Sequence, residues 1–389
     1  MTAICLPSAP VLGAAPVLGA ALAVGDRPLP NPVVLAPMAG VTDRAYRQLC
    51  DSYGAGLCVS EMVTSRGLVE GSERTARYLA FAPGAVRSVQ LYGVDPAVME
   101  RAVGILLERD LADHVDINVG CPVPKVTRHG GGAALPWKRD LFRAVVRGAV
   151  RGAAGAVPVT VKMRLGLDDA HHTYLDAGLA AQEEGAAWVA LHARTAAMGY
   201  AGEARWEHIA RLVQALDVPV LGNGDIWEAA DATRMVAETG CAGVVVGRGC
   251  LGRPWLFAAL AARFAGLSEP AHPGLGEVAG VLRRHAGLLA ELRGEREGLV
   301  QLRKHMAWYL KGFVAGTDVR QGLAQVSGLT ELDDLLARLD LAQPFPVSEL
   351  GRPRGRTSPR ERVVLPEHWL DSRDGGCVDA RAEDDVSGG

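Results

Sequence analysis

The chain has 389 residues, 49% of them hydrophobic, with 47 glycines, 5% aromatics and a formal net charge of −3. This composition excludes a disordered chain and suits a core of small apolar side chains joined by many tight turns. The charge excludes a protein that coats nucleic acid non-specifically but permits a local basic face, and the length calls for a barrel-sized unit with a smaller appendage.

Residues 10–24 are apolar and contain a doubled Pro-Val-Leu-Gly-Ala. No Lys or Arg precedes them and the run is too short to span a bilayer, so residues 1–25 are read as a disordered extension, with a signal sequence as the minor alternative. From residue 33 to about 265, short Val/Ile/Leu/Ala runs alternate with amphipathic stretches, the pattern of repeated βα units. Strands are expected near 33–36, 57–60, 88–91, 114–117, 159–163, 188–191, 219–221 and 243–246. Helix-like segments follow them, including Pro96–Glu108 after an Asp95 N-cap, 138–152 and 228–239.

Eight strands at this spacing match a closed (β/α)8 barrel, a TIM barrel, over residues 26–268. A doubly wound open sheet would need a Gly-rich dinucleotide turn after the first strand, and Pro37-Met38-Ala39-Gly40 is not GxGxxG. Past Pro273 the period is helical throughout, so a small helical domain is expected over 269–345. Residues 346–389, Pro-, Arg- and Gly-rich and then acidic, are expected to form a flexible tail.

Polar residues fall just after the strands, on what would be the catalytic rim of the barrel. Gly222-Asn223-Gly224-Asp225 and Gly247-Arg248-Gly249 end strands seven and eight, where backbone N–H groups commonly hold a phosphate; ordinary tight turns are the alternative. Lys162 and Gln90 end strands five and three, and a cation with an amide there suits the pyrimidine edge of a flavin, whereas a salt-bridged rim lysine is the bland reading. Asn118-Val119-Gly120-Cys121-Pro122 puts a thiol in a Gly-rich loop. With a free pKa of about 8.5 it can serve as a general acid, although most free cysteines are simply buried. His192 and Arg194 can both donate to an anion, with a structural role competing. Tandem His171-His172 has no strand-end placement and is assigned nothing.

In order from about Pro32 to Phe257, these segments resemble the tRNA-dihydrouridine synthase family. The likeness rests on Ala36-Pro37-Met38-Ala39-Gly40-Val41-Thr42-Asp43, Ser60-Glu61-Met62, Val89-Gln90-Leu91, Asp116-Ile117-Asn118-Val119-Gly120-Cys121-Pro122, Val161-Lys162-Met163-Arg164, His192-Ala193-Arg194-Thr195, Asn223-Gly224-Asp225 and Gly247-Arg248. It implies FMN held by Pro37, Met38, Ala39, Gln90, Lys162, Asn223, Gly224, Asp225, Gly247 and Arg248, with His192 near the flavin. It also implies NADPH as reductant, hydride delivery to C6 of a flipped-out uracil, and Cys121 as proton donor to C5 while Asn118 helps hold the base.

Lys125, Arg128 and Arg164 near this loop are expected to meet substrate RNA. Gly132-Ala133-Ala134-Leu135-Pro136 departs from the family's usual Gly-Ser-Ala-Leu, and Ala193 replaces a frequent Gly. The stretch Arg303-Lys304-His305-Met306-Ala307-Trp308-Tyr309-Leu310-Lys311-Gly312 resembles the family's C-terminal tRNA-binding domain, so Arg303, Lys304 and Lys311 are candidate RNA contacts, with a solvated amphipathic face as the alternative. Arg352, Arg354, Arg356, Arg360 and Arg362 would add non-specific attraction or simply belong to the tail.

Two other readings compete: an FMN barrel oxidising a free pyrimidine, as dihydroorotate dehydrogenases do, and a non-catalytic RNA-binding protein. The helical appendage weighs against the first and the intact Cys121 and Lys162 against the second. The seven cysteines form no CxxC pair and no zinc-site spacing, which fits a reducing cytoplasm. No membrane association is expected, and a monomer is the family-based expectation.

Overall fold

The computed structural model describes residues 21–359 and 362–375. Two short strands, β1 (Ala23–Val24) and β2 (Arg27–Pro28), pair as an antiparallel hairpin. Nine parallel strands follow: β3 (Val33–Leu35), β4 (Leu57–Cys58), β5 (Val63–Thr64), β6 (Ser88–Tyr92), β7 (His114–Val119), β8 (Val159–Arg164), β9 (Val189–His192), β10 (Val220–Asn223) and β11 (Gly243–Val246). They form one sheet in the order β4-β3-β11-β10-β9-β8-β7-β6-β5.

A bridge from Val59 to Ser88, with the Ser60 N–H donating to the Ser88 carbonyl at 2.9 Å, joins the two ends and closes the barrel. β4 and β5 are thus two halves of the second barrel strand, interrupted by residues 59–62. The sequence shows one strand there; at the break Ser60 Oγ accepts from the Gln90 N–H at 3.0 Å and Glu61 accepts from the Gly40 N–H of the loop after β3.

Parallel strands covered on both faces read as continuous apolar runs, as β3 (Val-Val-Leu) and β11 (Gly-Val-Val-Val) do. β6, β7 and β8 alternate instead. Val89, Leu91, Val115, Ile117, Val159, Val161 and Met163 pack outward into the main core beneath the helices. The intervening positions, Ser88, Gln90, His114, Asp116, Asn118, Thr160, Lys162 and Arg164, are polar, and by the period of two they face the lumen.

The helix Pro96–Glu108 starts where expected, because Asp95 accepts from the N–H groups of Ala97 and Val98 and Pro96 occupies the first turn. The lower lumen is apolar, filled by Val34, Leu57, Trp188, Ala190, Leu221 and Val245. Leu22 and Val24 join this cluster at 3% and 5% exposure. The hairpin therefore stoppers the floor of the barrel, and the expected disordered extension does not run to residue 25; residues 1–20 lie outside the described residues.

Beyond the barrel, helices Leu275–Arg293, Glu295–Tyr309, Thr317–Gln325 and Leu329–Leu336 form a second core around Leu282, Leu289, Leu299, Leu302, Leu323 and Leu332. It docks through Tyr46 of the helix Arg44–Asp51. The ring lies 5.4 Å from His285 and 5.5 Å from His305, and its hydroxyl donates to the Cys250 carbonyl. Residues 346–359 and 362–375 pack on the barrel, contrary to the expected flexible tail: Arg354 and Trp369 are only 3% and 8% exposed. Composition predicts mobility where periodicity is missing, and it cannot foresee a segment fixed by a few isolated anchors. Among the described residues no helix is long and apolar enough to cross a membrane.

Candidate active site at the mouth of the barrel

The lumen-facing polar residues of β6 to β8 form one directed hydrogen-bond chain. Its direction is set by two backbone donors, the N–H groups of Gly120 and Cys121, which both point at Asn118 Oδ1 at 3.0 Å. Asn118 must therefore turn Nδ2 the other way, and it donates to Gln90 Oε1 at 2.8 Å. Gln90 in turn donates from Nε2 to Asp116 Oδ2 at 2.7 Å. Asp116 is the acceptor that the far end of such a chain requires, since a carboxylate has no donor to conflict with the amide. Its other oxygen accepts from Thr160 Oγ1 at 2.6 Å. Thr160 pairs with His114 Nε2 at 2.9 Å, and His114 Nδ1 pairs with Ser88 Oγ at 2.7 Å.

Burial raises the Asp116 pKa, while the hydrogen bonds from Thr160 and Gln90 and the charge of Lys162 pull it back. Cys121 sits half-buried at the top of this chain. Its carbonyl accepts from the Ala133 N–H at 3.0 Å and the carbonyl of Gly120 accepts from Arg164 Nε at 2.9 Å.

Lys162 is the register partner of Asn118 on the adjacent strand, and its Nζ donates to Asn223 Oδ1 at 3.1 Å. Burial, with help from the Arg164 charge, lowers its pKa to about 8, while Asp116 and Cys121 oppose the shift. Asn223 is itself fixed by donating to the Val245 carbonyl at 2.6 Å. His192, the register partner of both Asn223 and Arg164, is held neutral: burial first, then the cations Arg164, Lys162, Arg194 and Arg248, push its pKa well below the usual range.

At the end of β10 the backbone turns at Gly224 with φ +131°, and a Cβ there would stand 2.6 Å from the Ala204 Cβ, so only glycine fits. Arg194 Nη1, which would lie 3.7 Å from that Cβ, is buried without a hydrogen-bond partner. Arg194 Nη2 holds Asp225 Oδ2 at 2.7 Å. Arg248 reaches Asp225 Oδ1 only at 3.5 Å and stacks on Tyr200 and Trp227 at 4.7 and 5.0 Å. A glycine turn and an orphaned guanidinium N–H, beside a second arginine whose Nη1 holds the Arg356 carbonyl at 2.6 Å, are the groups from which a phosphate-sized anion site would be built.

Across the mouth, the loop after β3 is shaped from beneath. Thr42 Oγ1 accepts from the Met38 N–H at 2.9 Å, and the buried Glu61 accepts from the Gly40 N–H. Pro37 and Met38 are half-buried and Ala39 is exposed.

The structure thus gathers Cys121, Asn118, Lys162, His192, Asn223, Gly224, Asp225, Gly247 and Arg248 around one mouth. Gln90 differs from expectation: it is 0% exposed and spans Asp116 and Asn118, one step behind the surface. The expected RNA cations divide. Arg164 is 4% exposed and also donates to the Thr195 and Gly199 carbonyls at 3.1 and 3.0 Å. Arg303 holds the Val326 and Gln325 carbonyls, and Lys311 holds the Pro353 carbonyl and Glu349, both at 2.9 Å. These three are committed to protein groups. Lys125 is half-buried; Arg128 and Lys304 are exposed and also touch protein groups, Arg128 Nε the Pro124 carbonyl at 3.2 Å and Lys304 Nζ Gln301 Oε1 at 3.1 Å.

Sequence reading missed Asp116, Thr160, His114 and Tyr200 as site-builders. The available signal was polar residues at every second position of strands that are otherwise Val and Ile.

Residues 34–344 match the family described as Dihydrouridine synthase (Dus). A probable tRNA-dihydrouridine synthase of Mycobacterium tuberculosis H37Rv is 54% identical over 378 residues, covering 95% of this chain and 97% of that one. The tRNA-dihydrouridine synthase B of Pseudomonas aeruginosa is 38% identical over 312 residues, covering 80% and 92%. A solved old yellow enzyme homologue from Zymomonas mobilis superposes with TM-score 0.46 and 14% identity, over 66% of this chain and 94% of that one, a likeness too loose to carry weight.

Proposed function

The chain belongs to the dihydrouridine synthase family, and from that premise we propose that its barrel mouth reduces uridines of tRNA to 5,6-dihydrouridine with FMN as bound cofactor and NADPH as reductant. The observation that carries the proposal is the half-buried Cys121 on its amide-held loop, sharing one mouth with Lys162 and the Gly224–Arg248 anion site.

The residues present fit FMN. Arg194 Nη1, Arg248 and the glycine turn would take the phosphate. Lys162 and Asn223 would meet the pyrimidine edge of the ring, His192 would lie beside it, and Pro37, Met38 and Ala39 would flank it with Gly247. Reduced flavin bound there supplies the hydride for uracil C6.

The chain's own groups do the rest. Cys121 gives its proton to C5, and the amide chain from Asp116 to Asn118 fixes the loop that carries it. Asn118 has a second Nδ2 hydrogen that rests only on Met62 Sδ at 3.7 Å, a weak acceptor that a uracil carbonyl displaces. Lys162, charged below about pH 8, stabilises negative charge at the ring's polar edge. A stacked base is out of reach of this recess, so the target uridine must leave its stack. Arg128, Lys125 and Lys304 would meet tRNA phosphates, with Arg164, Arg303 and Lys311 acting through the loops they hold. The protein is read as a cytoplasmic monomer.

Cys121→Ala in the flavin-loaded protein is the test. It is expected to retain FMN and bind tRNA but form no dihydrouridine; an unchanged rate sinks the acid assignment. Protein that stays colourless after FMN is added sinks the cofactor assignment. Oxidation of free dihydroorotate without RNA would favour the free-pyrimidine reading.

A further inference from the structure

We propose that residues 346–359 and 362–375 form a strap that completes the site, with Trp369 as a positioning residue for Cys121. The strap lies past residue 344, where the family match ends, and it is tied to the barrel at several places, among them the three that follow. At its start Arg354, 3% exposed, donates to the carbonyls of Leu251 and Trp308 at 3.1 and 2.8 Å. It next crosses the anion site: Arg248 Nη1 donates to the Arg356 carbonyl at 2.6 Å, and the Tyr200 N–H donates to the Ser358 carbonyl at 3.3 Å.

At the third place Trp369 inserts beside the loop that follows the cysteine. Its Nε1–H donates to the Ala134 carbonyl at 3.1 Å, and its ring packs with Ala134 and Leu167 beneath the Lys138 ammonium at 5.1 Å. Lys138 also donates to the Ser372 carbonyl at 2.6 Å, so ring and ammonium are both pinned.

The loop is built to receive the ring. Gly130, at φ +81°, lies so close to Trp369 that a Cβ there would run into the indole, and a Cβ on Gly132 would run into the Cys121 carbonyl. Between these two glycines the chain makes one short rigid span from the indole to the catalytic residue, finished by the Ala133 N–H on the Cys121 carbonyl. The amide chain holds the cysteine loop from the lumen side, and the strap holds it from outside. A sulfur that must meet C5 in a fixed geometry needs both, because a reacting group displaced by about an ångström can lose on the order of a hundredfold in rate.

The inference rests on Cys121 as proton donor for its effect on turnover, but not for its effect on the loop. The experiment uses full-length, FMN-loaded Trp369→Ala and Trp369→Phe proteins, measuring kcat and KM for tRNA and the rate at which iodoacetamide alkylates Cys121, followed on its peptide by mass spectrometry. Trp369→Ala is expected to speed alkylation several-fold and lower kcat by about tenfold or more, with KM changing less than kcat. Trp369→Phe keeps a ring but loses the donation to Ala134 and the outer indole atoms that lie against Gly130, so it should fall between.

Should the Ala protein fail to fold, alkylation of the Phe protein above the wild-type rate supports the strap and a wild-type rate overturns it. Reduced kcat with unchanged alkylation also overturns it, since the loop would not have moved. If Cys121→Ala keeps full turnover, the donor reading fails on its own, and alkylation alone decides: faster supports the strap, unchanged overturns it.

Discussion

The sharpest prediction concerns Asp116, which is buried behind the mouth at 5% exposure. Asp116→Leu removes the acceptor of two buried donors, Gln90 Nε2–H and Thr160 Oγ1–H. A buried donor left unsatisfied costs about 1–3 kcal/mol, so about 2–6 kcal/mol is expected for the pair, reduced by the relief of an unfavourable buried charge. Gln90 then loses the acceptor that holds its amide in place, and Asn118, which donates to Gln90 Oε1, is left held only by the Gly120 and Cys121 N–H groups on its Oδ1, so that end of the chain loosens.

Asp116→Asn behaves differently. Its Oδ1 can take the Gln90 donor while Nδ2 turns to Thr160, whose hydroxyl then donates to His114 Nε2. The cysteine side of the chain survives, and the loss is about 1–2 kcal/mol, as a charge-assisted bond becomes a neutral one. Urea unfolding with hydrogen exchange at the amides of residues 120 and 121 checks this: Leu should be the less stable variant and should exchange faster at both amides, while Asn keeps wild-type protection. Equal stability and equal exchange in the two variants would refute the directed-chain argument.

Lys162, whose pKa burial lowers to about 8 from about 10.4 in the unfolded chain, should show itself twice. FMN affinity falls as the pH rises through about 8, read by flavin fluorescence titration, and stability rises between about pH 8 and 10.4, because only the unfolded chain still binds that proton; Lys162→Met should abolish both steps. Burial holds His114 and His285 down to about 3 and keeps His192 and His305 well below the ordinary range. The unfolded chain takes up their protons near 6.5, so stability should fall below that pH by up to about 1.4 kcal/mol per unit for each imidazole; a flat profile from pH 7 to 5 would contradict their neutral burial. Gly224→Ala combines a strained φ with a close Ala204 contact and should cost about 1–3 kcal/mol, with weaker FMN retention in equilibrium dialysis.

Much of this architecture is legible in the chain. All eight barrel strands fall where Val/Ile/Leu runs and following polar residues put them, because a barrel's period and its rim are both local patterns. Cys121, Lys162 and the glycine turns were visible for the same reason.

What escaped depends on partners distant in sequence. Arg164, Arg303 and Lys311 sit among glycines and aromatics as anion-binding residues would, but backbone carbonyls bring the same attraction to a cation, and sequence does not say which arrives. Gln90 reads as a cofactor contact, and nothing local reveals that Asp116 and Asn118 also flank it. The break in the second strand and the anchoring of residues 346–359 and 362–375 depend on contacts between residues far apart in sequence, such as Val59 with Ser88 and Trp369 with Ala134, which leave no periodic trace.

The hairpin of β1 and β2 has a practical bearing on how the protein is handled. Residue 21 leaves from the floor of the barrel, whereas Gly375, whose N–H lies 3.4 Å from Asp140 Oδ2, leaves beside the mouth. Tethering the protein to a sensor chip or resin through its N-terminal side would turn the open face toward a polymer the size of tRNA. A C-terminal tether would place the support next to the very entrance that polymer has to use.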